Sequence, residues 1–576
     1  MTARILIREV ADRGTSRWLS FGRPARVLRV QRLAEVLPAL TELDAAVQRG
    51  YWAAGFLAYE AAPAFDPAFV TVRPSPLPLL WFGLYQSDNI HNLPEFPRLG
   101  KPIGSCFQGL ETRWRSSVSQ SQFNRAIAVI HRAIARGETY QVNYSFRLRA
   151  PAKTCPCLLP SAGYDAWLDL GDHQICSTSP ELFFRRAGDC IICRPMKGTA
   201  PRGRTLADDQ RLADELRNSE KNRAENIMIV DMVRNDLGRI ARSGSVRVKN
   251  LFEVKRYATL WQMTSTVAAR TRADWSETFR ALFPCASITG APKVQTMKLI
   301  AELERTPRGI YTGAIGFISP ERRAQFNVAI RTLHFDRARH RLEYGTGAGI
   351  TSDSHAEAEW QECRAKTLVL VPEPPFELLE TLLWQPGHGY ALLTRHLRRL
   401  ADSAEYFGFR LRRSEVLGAL QRMARNFSAQ AQRIRLLVAR TGELHIESTP
   451  LSVPKVWKIA LARAPVDSND WFLYHKTTRR IVYDAARQQS GCDDVILFNE
   501  RGEITESCFA NVVVERAGHW FTPPVSCGLL AGTQRAEWLD KGKLCEKVIR
   551  VKDLDITDRI WLLNSVRGLI ETRGLS

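Results

Sequence analysis

The sequence predicts an α+β protein in two parts, the first larger than the second, and three features carry that expectation. Apolar residues make up 45% and charged residues 24% of the 576 positions, ordinary values for a chain that buries a core. Short apolar runs of strand type alternate with segments in which apolar residues recur every three to four positions. The run Val371-Pro372-Glu373-Pro374-Pro375 puts three prolines into four positions, which removes backbone donors and disfavours helix. Residues 1–370 are therefore expected to form one domain, 371–375 a proline-rich linker and 376–576 a second domain.

Taken in order, Pro151 to Pro160 reads as a surface loop. Cys190-Ile191-Ile192-Cys193 is a C-x-x-C, but zinc needs a second ligand pair and none is suitably placed, so the apolar run reads as a core strand. Ser219 to Leu237, with Ile227, Val230, Val233 and Leu237 on one face, reads as an amphipathic helix. Gly290-Ala291-Pro292-Lys293 opens another, with Val294, Met297, Ile300 and Leu303 as its apolar stripe. Tyr311 to Ser319 and Ala324 to Phe335 read as strands, and the glycine-rich Gly345 to Gly349 follows a third. Asp353 to Leu370 reads as a further helix.

Composition excludes several classes of function. No stretch approaches the roughly 20 apolar residues of a membrane span. The N-terminus lacks the apolar core of a signal peptide. The 12 scattered cysteines suit free thiols in the cytoplasm better than a disulfide framework. The net charge of +21 permits polyanion binding, but no basic patch interleaved with aromatics supports a nucleic-acid partner.

Two constellations carry chemistry. In the first, Glu359, Glu362 and Lys366 share a helix face, and Glu225 lies on the Ser219–Leu237 helix. Glutamates from two helices can hold Mg²⁺, although from spacing alone solvated surface charge is the better reading. The ordered series of motifs goes further. It comprises Gly137-Glu138-Thr139-Tyr140-Gln141-Val142-Asn143, Ser179-Pro180-Glu181-Leu182-Phe183 and Pro195-Met196-Lys197-Gly198-Thr199 through Gly203. Then come Arg223-Ala224-Glu225-Asn226, Ser287-Ile288-Thr289-Gly290-Ala291-Pro292-Lys293, Tyr311-Thr312-Gly313, Ala329-Ile330-Arg331, Gly347-Ala348-Gly349 and Glu359 through Lys366. Over residues 110–370 this series resembles the chorismate-utilising enzymes: anthranilate synthase and aminodeoxychorismate synthase components I and the isochorismate and salicylate synthases.

The resemblance implies a large β-sandwich with surrounding helices. It implies Glu225 and Glu362 as Mg²⁺ ligands. It implies Tyr311, Arg331, the Gly347-Ala348-Gly349 backbone and Lys366 as clamps on substrate carboxylates, with Thr289 contributing a hydroxyl nearby. Water-adding relatives carry lysine where this chain has Gln141, and anthranilate synthases usually carry alanine where it has Lys197. The pattern Pro-Met-Lys-Gly-Thr resembles aminodeoxychorismate synthase instead. A lysine held neutral there is a nucleophile, and Glu181 matches the family's general acid. No glutaminase elbow is present in the chain, so a separate glutamine amidotransferase subunit is implied as the ammonia source for chorismate.

The second constellation follows the prolines. It runs from Leu379-Glu380-Thr381, through Arg395-His396-Leu397-Arg398-Arg399-Leu400 and Tyr474-His475-Lys476, to Gly502 through Ser507 with Asn511, and ends at Gly528 through Arg535. This order resembles the fold-type IV pyridoxal-phosphate enzymes, a smaller α/β fold that includes aminodeoxychorismate lyase and the branched-chain and D-amino-acid aminotransferases. By that resemblance Lys476 bonds the cofactor, Glu506 keeps its ring nitrogen protonated, and Gly532, Thr533 and Arg399 hold its phosphate. Thr381 supplies a hydroxyl for proton transfer. Lyase and aminotransferase share these residues, and fusion to a preceding pathway enzyme favours the lyase. The joint expectation is a bifunctional folate-pathway enzyme that makes 4-aminobenzoate; an anthranilate synthase with an aminotransferase-like second half is the alternative.

Overall fold

The computed structural model describes residues 3–11, 15–97, 114–155, 163–257, 259–367, 370, 375–427, 429–452, 456–554 and 558–575. Most of the proline-rich linker (371–374) and the latter half of the expected Pro151–Pro160 loop lie outside them. The chain divides into two compact units. Residues 1–200 and 215–373 form one, and residues 201–214 join 374–576 in the other.

The first unit holds two antiparallel sheets of ten strands each among the described residues. Their inner faces close on an apolar layer in which Ile5, Leu19 and Phe21 from one sheet meet Trp52, Phe56 and Phe317 from the other. Removing that much apolar surface from water is the main stabilising term. Helices cover the outer faces. Glu220–Gly238 forms because Ser219 caps it, accepting from the Asn222 N–H, and because Ile229, Val230, Val233 and Leu237 are buried. Val230, Val233 and Leu237 follow the periodicity seen in the sequence, whereas Ile227, expected on the same face, is exposed and Ile229 is buried. Cys190–Arg194 is a strand, with Cys193 buried. The cysteines of the described residues are free thiols.

Four expectations are corrected. The strand expected over Ala324–Phe335 is two strands, Arg323–Val328 and Thr332–Asp336, which belong to different sheets. The chain crosses between sheets at Arg331, whose φ of 48° is a left-handed conformation that a continuous strand cannot contain. Gly345–Gly349 does not follow a strand but lies inside one, Arg341–Ile350. The helix expected over Asp353–Leu370 is shorter, Ala356–Ala365, with Lys366 at its C-cap. Tyr311, expected in a strand, lies in the turn before Ala314–Ile318.

In the second unit a four-stranded antiparallel sheet contains Leu378–Gln385, Gln432–Val438 and Leu444–Pro450 in neighbouring positions. An eight-stranded sheet curls round so that Ile504–Ser507 pairs with Asn511–Arg516 as well as with Asp494–Phe498. Helix Leu393–Phe407 packs Leu397, Leu400 and Ala404 against the first sheet. Residues 201–214 are fastened here by Arg202, which bonds Asp209 through both nitrogens at 2.7 and 2.8 Å and lies 4.3 Å over the Tyr406 ring. No helix among the described residues is long and apolar enough to cross a membrane.

Candidate active sites

The first unit encloses a cavity of about 270 Å³ lined by Glu181, Lys197, Glu225, Tyr311, Arg331, Gly347 through Gly349, Glu362 and Lys366. Residues as far apart as 181 and 366 in sequence therefore share one space. Thr289 does not: its hydroxyl is spent on the carbonyls of Cys285 and Ala286, each at 3.2 Å. Among the hydroxyls that do line the cavity is that of Ser287, two residues earlier, which donates to Glu181 at 2.6 Å.

Lys197 sits on strand Met196–Pro201. Its carbonyl is held at 3.1 Å by the Asn226 amide, and Asn226 in turn accepts from Ser265 at 2.5 Å. The amine lies over Gly349: a Cβ built there would come within 2.2 Å of Lys197 Nζ. Glycine at 349 is thus the room the amine occupies. Burial lowers the Lys197 pKa, with Lys366 assisting, against the opposing pull of Glu225, Glu362 and Glu359. The same burial pushes the Glu181 carboxyl up to about 7, so its acid and carboxylate forms are both populated at neutral pH.

The remaining groups are polar handles. Strand Arg341–Ile350 pairs along its full length with Gln141–Pro151, but its other edge is paired only to Tyr344. From Gly345 onward that edge faces the cavity, and Lys366 donates to the Gly347 carbonyl at 2.9 Å and to Glu362 at 2.8 Å. The nearby lysine holds Glu362 below the usual carboxylate range. A Cβ at 345 would fall 2.2 Å from the Tyr311 ring, so Gly345 is what lets Tyr311 lie flat there. The Arg331 backbone is anchored by Thr178, and its side chain lies 5.6 Å from the Tyr257 ring. Among the described residues no group of three His, Cys, Asp or Glu side chains is placed to hold a metal alone. The two expected glutamates suit Mg²⁺ nonetheless, because that ion keeps several waters and takes further oxygens from its ligand.

The second unit has a cavity of about 390 Å³ lined by Thr381, Arg399, Lys476, Glu506, Gly532 and Thr533, all expected from the sequence. Burial, with Arg399 and Arg480 nearby, pushes the Lys476 amine down to about 8. Burial also pushes Glu506 up to about 7, against a hydrogen bond from the Tyr483 hydroxyl at 2.8 Å and one from the Leu530 N–H at 3.2 Å. Gly532 caps helix Thr533–Asp540. A Cβ on Gly532 would stand 1.9 Å from Asn511 Oδ1, so only glycine fits there.

The sequence did not assign a role to Glu380. It is buried at the centre of a relay, accepting from Arg399 at 2.7 and 2.9 Å and meeting His396 at 2.7 Å. His396 meets the Thr533 hydroxyl at 3.2 Å, and Arg399 reaches the Ala531 carbonyl at 3.2 Å. Burial alone would raise the Glu380 pKa, but Arg399 and His396 outweigh it and hold it at about 2. Arg399 is therefore fixed against the Gly532–Thr533 turn by an acid 19 residues earlier in sequence. The only forewarning was the position of Glu380 between Leu379 and Thr381.

A buried amine in one cavity with Glu181, and a second in a cavity that a helix N-terminus also lines, give the chain two candidate active sites. Comparison with known proteins agrees. The model of the chorismate binding enzymes matches residues 102–372, and that of the class IV amino-transferases matches residues 377–574. An anthranilate synthase component 1 of Haloarcula marismortui is 40% identical over 272 residues, 45% of this chain and 55% of that protein. The aminodeoxychorismate synthase component 1 of Bacillus subtilis is 37% identical over 262 residues, 44% of this chain and 55% of that protein. An anthranilate synthase component 1 of Methanothermobacter thermautotrophicus is 33% identical over 348 residues, 55% of this chain and 73% of that protein. The chain spans about half the length of the first two relatives. The protein belongs to the chorismate binding enzymes and carries a class IV amino-transferase domain after that part.

Proposed function

We propose that the first unit converts chorismate and ammonia to 4-amino-4-deoxychorismate, and that the second removes pyruvate from this product to give 4-aminobenzoate. The observation that carries the first half is the amine of Lys197 over Gly349, in one cavity with Glu181, whose carboxyl is pushed up to about 7. The neutral amine bonds to ring carbon C2 as the C4 hydroxyl leaves, taking the Glu181 proton to depart as water. Ammonia then bonds to C4 and the lysine amine leaves C2. Arg331, Tyr311 and Lys366 orient the substrate through its carboxylates. Mg²⁺ bound by Glu225 and Glu362 would add Lewis-acid polarisation of the ring carboxylate.

The relatives include proteins named anthranilate synthase, which supports 2-amination as a second reading. Lys197 favours 4-amination, since alanine is usual at that position in anthranilate synthases. The "component 1" of the relatives' names supports a separate amidotransferase subunit as the ammonia source. We place both reactions in the cytoplasm, where free thiols such as the cysteines seen here persist.

In the second unit the residues fit pyridoxal phosphate. Lys476 would carry its aldehyde carbon, Glu506 would face its ring nitrogen, and the Gly532–Thr533 turn with Arg399 would hold its phosphate. Bound there, it supplies an electron sink. The protein's own part is to move protons: the Lys476 amine takes the proton from substrate carbon C4, with Thr381 as the nearby hydroxyl. The C3–oxygen bond then breaks, enolpyruvate leaves and the ring becomes aromatic. Loading the protein with the cofactor should give a visible-edge absorbance that borohydride removes, with the label on Lys476. A protein that never acquires that absorbance would overturn this half of the proposal.

A further inference from the structure

Helix Ile481–Ser490 buries one side chain, Tyr483, in its first turn. The residue is fastened from two sides. Its carbonyl accepts from the Cys508 thiol at 3.4 Å. Arg480, at the cap of the helix, lies 4.6 Å from its ring and donates to the Cys508 carbonyl. Burial pushes the Tyr483 pKa well above its ordinary value, so the hydroxyl keeps its proton and acts as a donor.

The acceptor is Glu506, on strand Ile504–Ser507. The Tyr483 hydroxyl reaches its Oε1 at 2.8 Å, and the Leu530 N–H reaches the same oxygen at 3.2 Å. Two donors fill the lone pairs of Oε1. Among the described residues no donor reaches Oε2, and the residue lines the cavity. The protein thus saturates one oxygen of the carboxyl and leaves the other for the occupant. The charged groups near it are Lys476 and Arg480, which favour its ionised form together with the Tyr483 and Leu530 donors. Burial opposes all four and pushes Glu506 up to about 7. Acid and carboxylate are then close in free energy. A hydrogen bond to a charged group, worth about tenfold or more in an equilibrium, decides between them.

We propose that Tyr483 is a positioning residue that acts through Glu506. By occupying Oε1 it keeps the carboxyl ionised and turns Oε2 to the cavity, where it holds the proton on the ring nitrogen of a bound pyridine cofactor. Without the hydroxyl, the proton shared by Glu506 and that nitrogen moves to the carboxyl. The neutral ring is the weaker electron sink. Tyr483 thereby sets the electronic state of the cofactor from a helix that begins five residues beyond Lys476. This inference rests on the reading of the second unit as a pyridoxal-phosphate site.

The test uses the full chain loaded with pyridoxal phosphate isotopically labelled at its ring nitrogen. It reads the nuclear resonance of that nitrogen, which differs strongly between the protonated and the neutral form. We expect a protonated nitrogen in the parent at neutral pH. Tyr483→Phe should lower the ratio of protonated to neutral nitrogen by at least about tenfold at the same pH, while the variant still holds the cofactor. Tyr483→4-aminophenylalanine, which keeps a weaker N–H donor of the same reach, should fall between the two. A tyrosine that only packs would leave the ratio where it is. If both variants keep the nitrogen as protonated as in the parent, the inference falls and the reading of the second unit stands. If Tyr483→Phe does not hold the cofactor, the 4-aminophenylalanine variant decides: a ratio below the parent's supports the role, and an equal one refutes it. If the nitrogen is neutral in the parent itself, Glu506 is not its partner and the reading of the second unit falls as well.

Discussion

Lys197 and Lys476 are both buried amines with lowered pKa, yet their surroundings are opposite. Lys197 shares its cavity with Glu181, Glu225, Glu359 and Glu362, interleaved with Lys366 and Arg331. The carboxylates there oppose its deprotonation, and burial prevails over them. Lys476 shares its cavity with arginines and one glutamate, and Arg399 and Arg480 add to burial in favouring the neutral amine. The same chemical group is thus tuned by desolvation in both places, while the neighbours decide what else can enter. On the proposed function, interleaved charge suits a divalent cation beside a carboxylate substrate, whereas a wall rich in cations favours anions.

Six substitutions and one pH profile probe the two sites, and the largest effects come first. Lys476→Ala should abolish 4-aminobenzoate formation and let the first product accumulate, while Lys197→Ala should abolish 4-amination and leave the second unit able to process added intermediate. Each is read by chromatography of the products. A Lys197→Ala protein that still makes 4-amino-4-deoxychorismate at the parent rate would end the covalent role of that amine.

Gly349→Ala should cost about a hundredfold in 4-amination with little change in thermal stability, because the added methyl meets only the ends of side chains, Lys197 Nζ at 2.2 Å and the Gln141 amide at 2.8 Å, and no backbone. Gly345→Ala provides the contrast. There the methyl meets the rigid Tyr311 ring, so stability should fall as well, and thermal unfolding distinguishes the two.

The pH dependence should follow Glu181. Its acid form is the one that protonates the departing hydroxyl, and that form is lost as pH rises through about 7. The rate of 4-amination at saturating ammonia should therefore fall above that pH, and Glu181→Gln should be slow at every pH. A profile that stays flat well above neutrality would assign the proton to another group. The smallest effect is expected from Asn226→Ala, which frees the Lys197 carbonyl and the Ser265 hydroxyl and should cost about 1–3 kcal/mol of stability with a partial loss of rate.

How much of this was legible in the sequence depended on range. The Ser219-capped helix was visible because cap and apolar stripe are local. The residues around both cavities could be named because each lies in a short, ordered motif. The crossing at Arg331 was not visible: the residues on either side have strand character, and only the assembled sheets show that the chain leaves one for the other. That Ser287 and not Thr289 lines the first cavity was not visible either, because a single turn of 3₁₀ helix over Ala286–Ile288 decides which side chain faces inward. The Glu380–His396–Thr533 relay joins three distant stretches, and no periodicity announces such a contact. Nor does sequence alone reveal that residues 201–214 pack with the second unit, which follows from the fit of Arg202 to Asp209 and Tyr406.

The most direct test of the account is to supply the full-length protein, loaded with Mg²⁺ and pyridoxal phosphate, with chorismate and ammonium and to identify the aromatic product by mass and fluorescence. The account predicts 4-aminobenzoate together with an equal amount of pyruvate. Anthranilate as the aromatic product, with Lys197 intact, would contradict it.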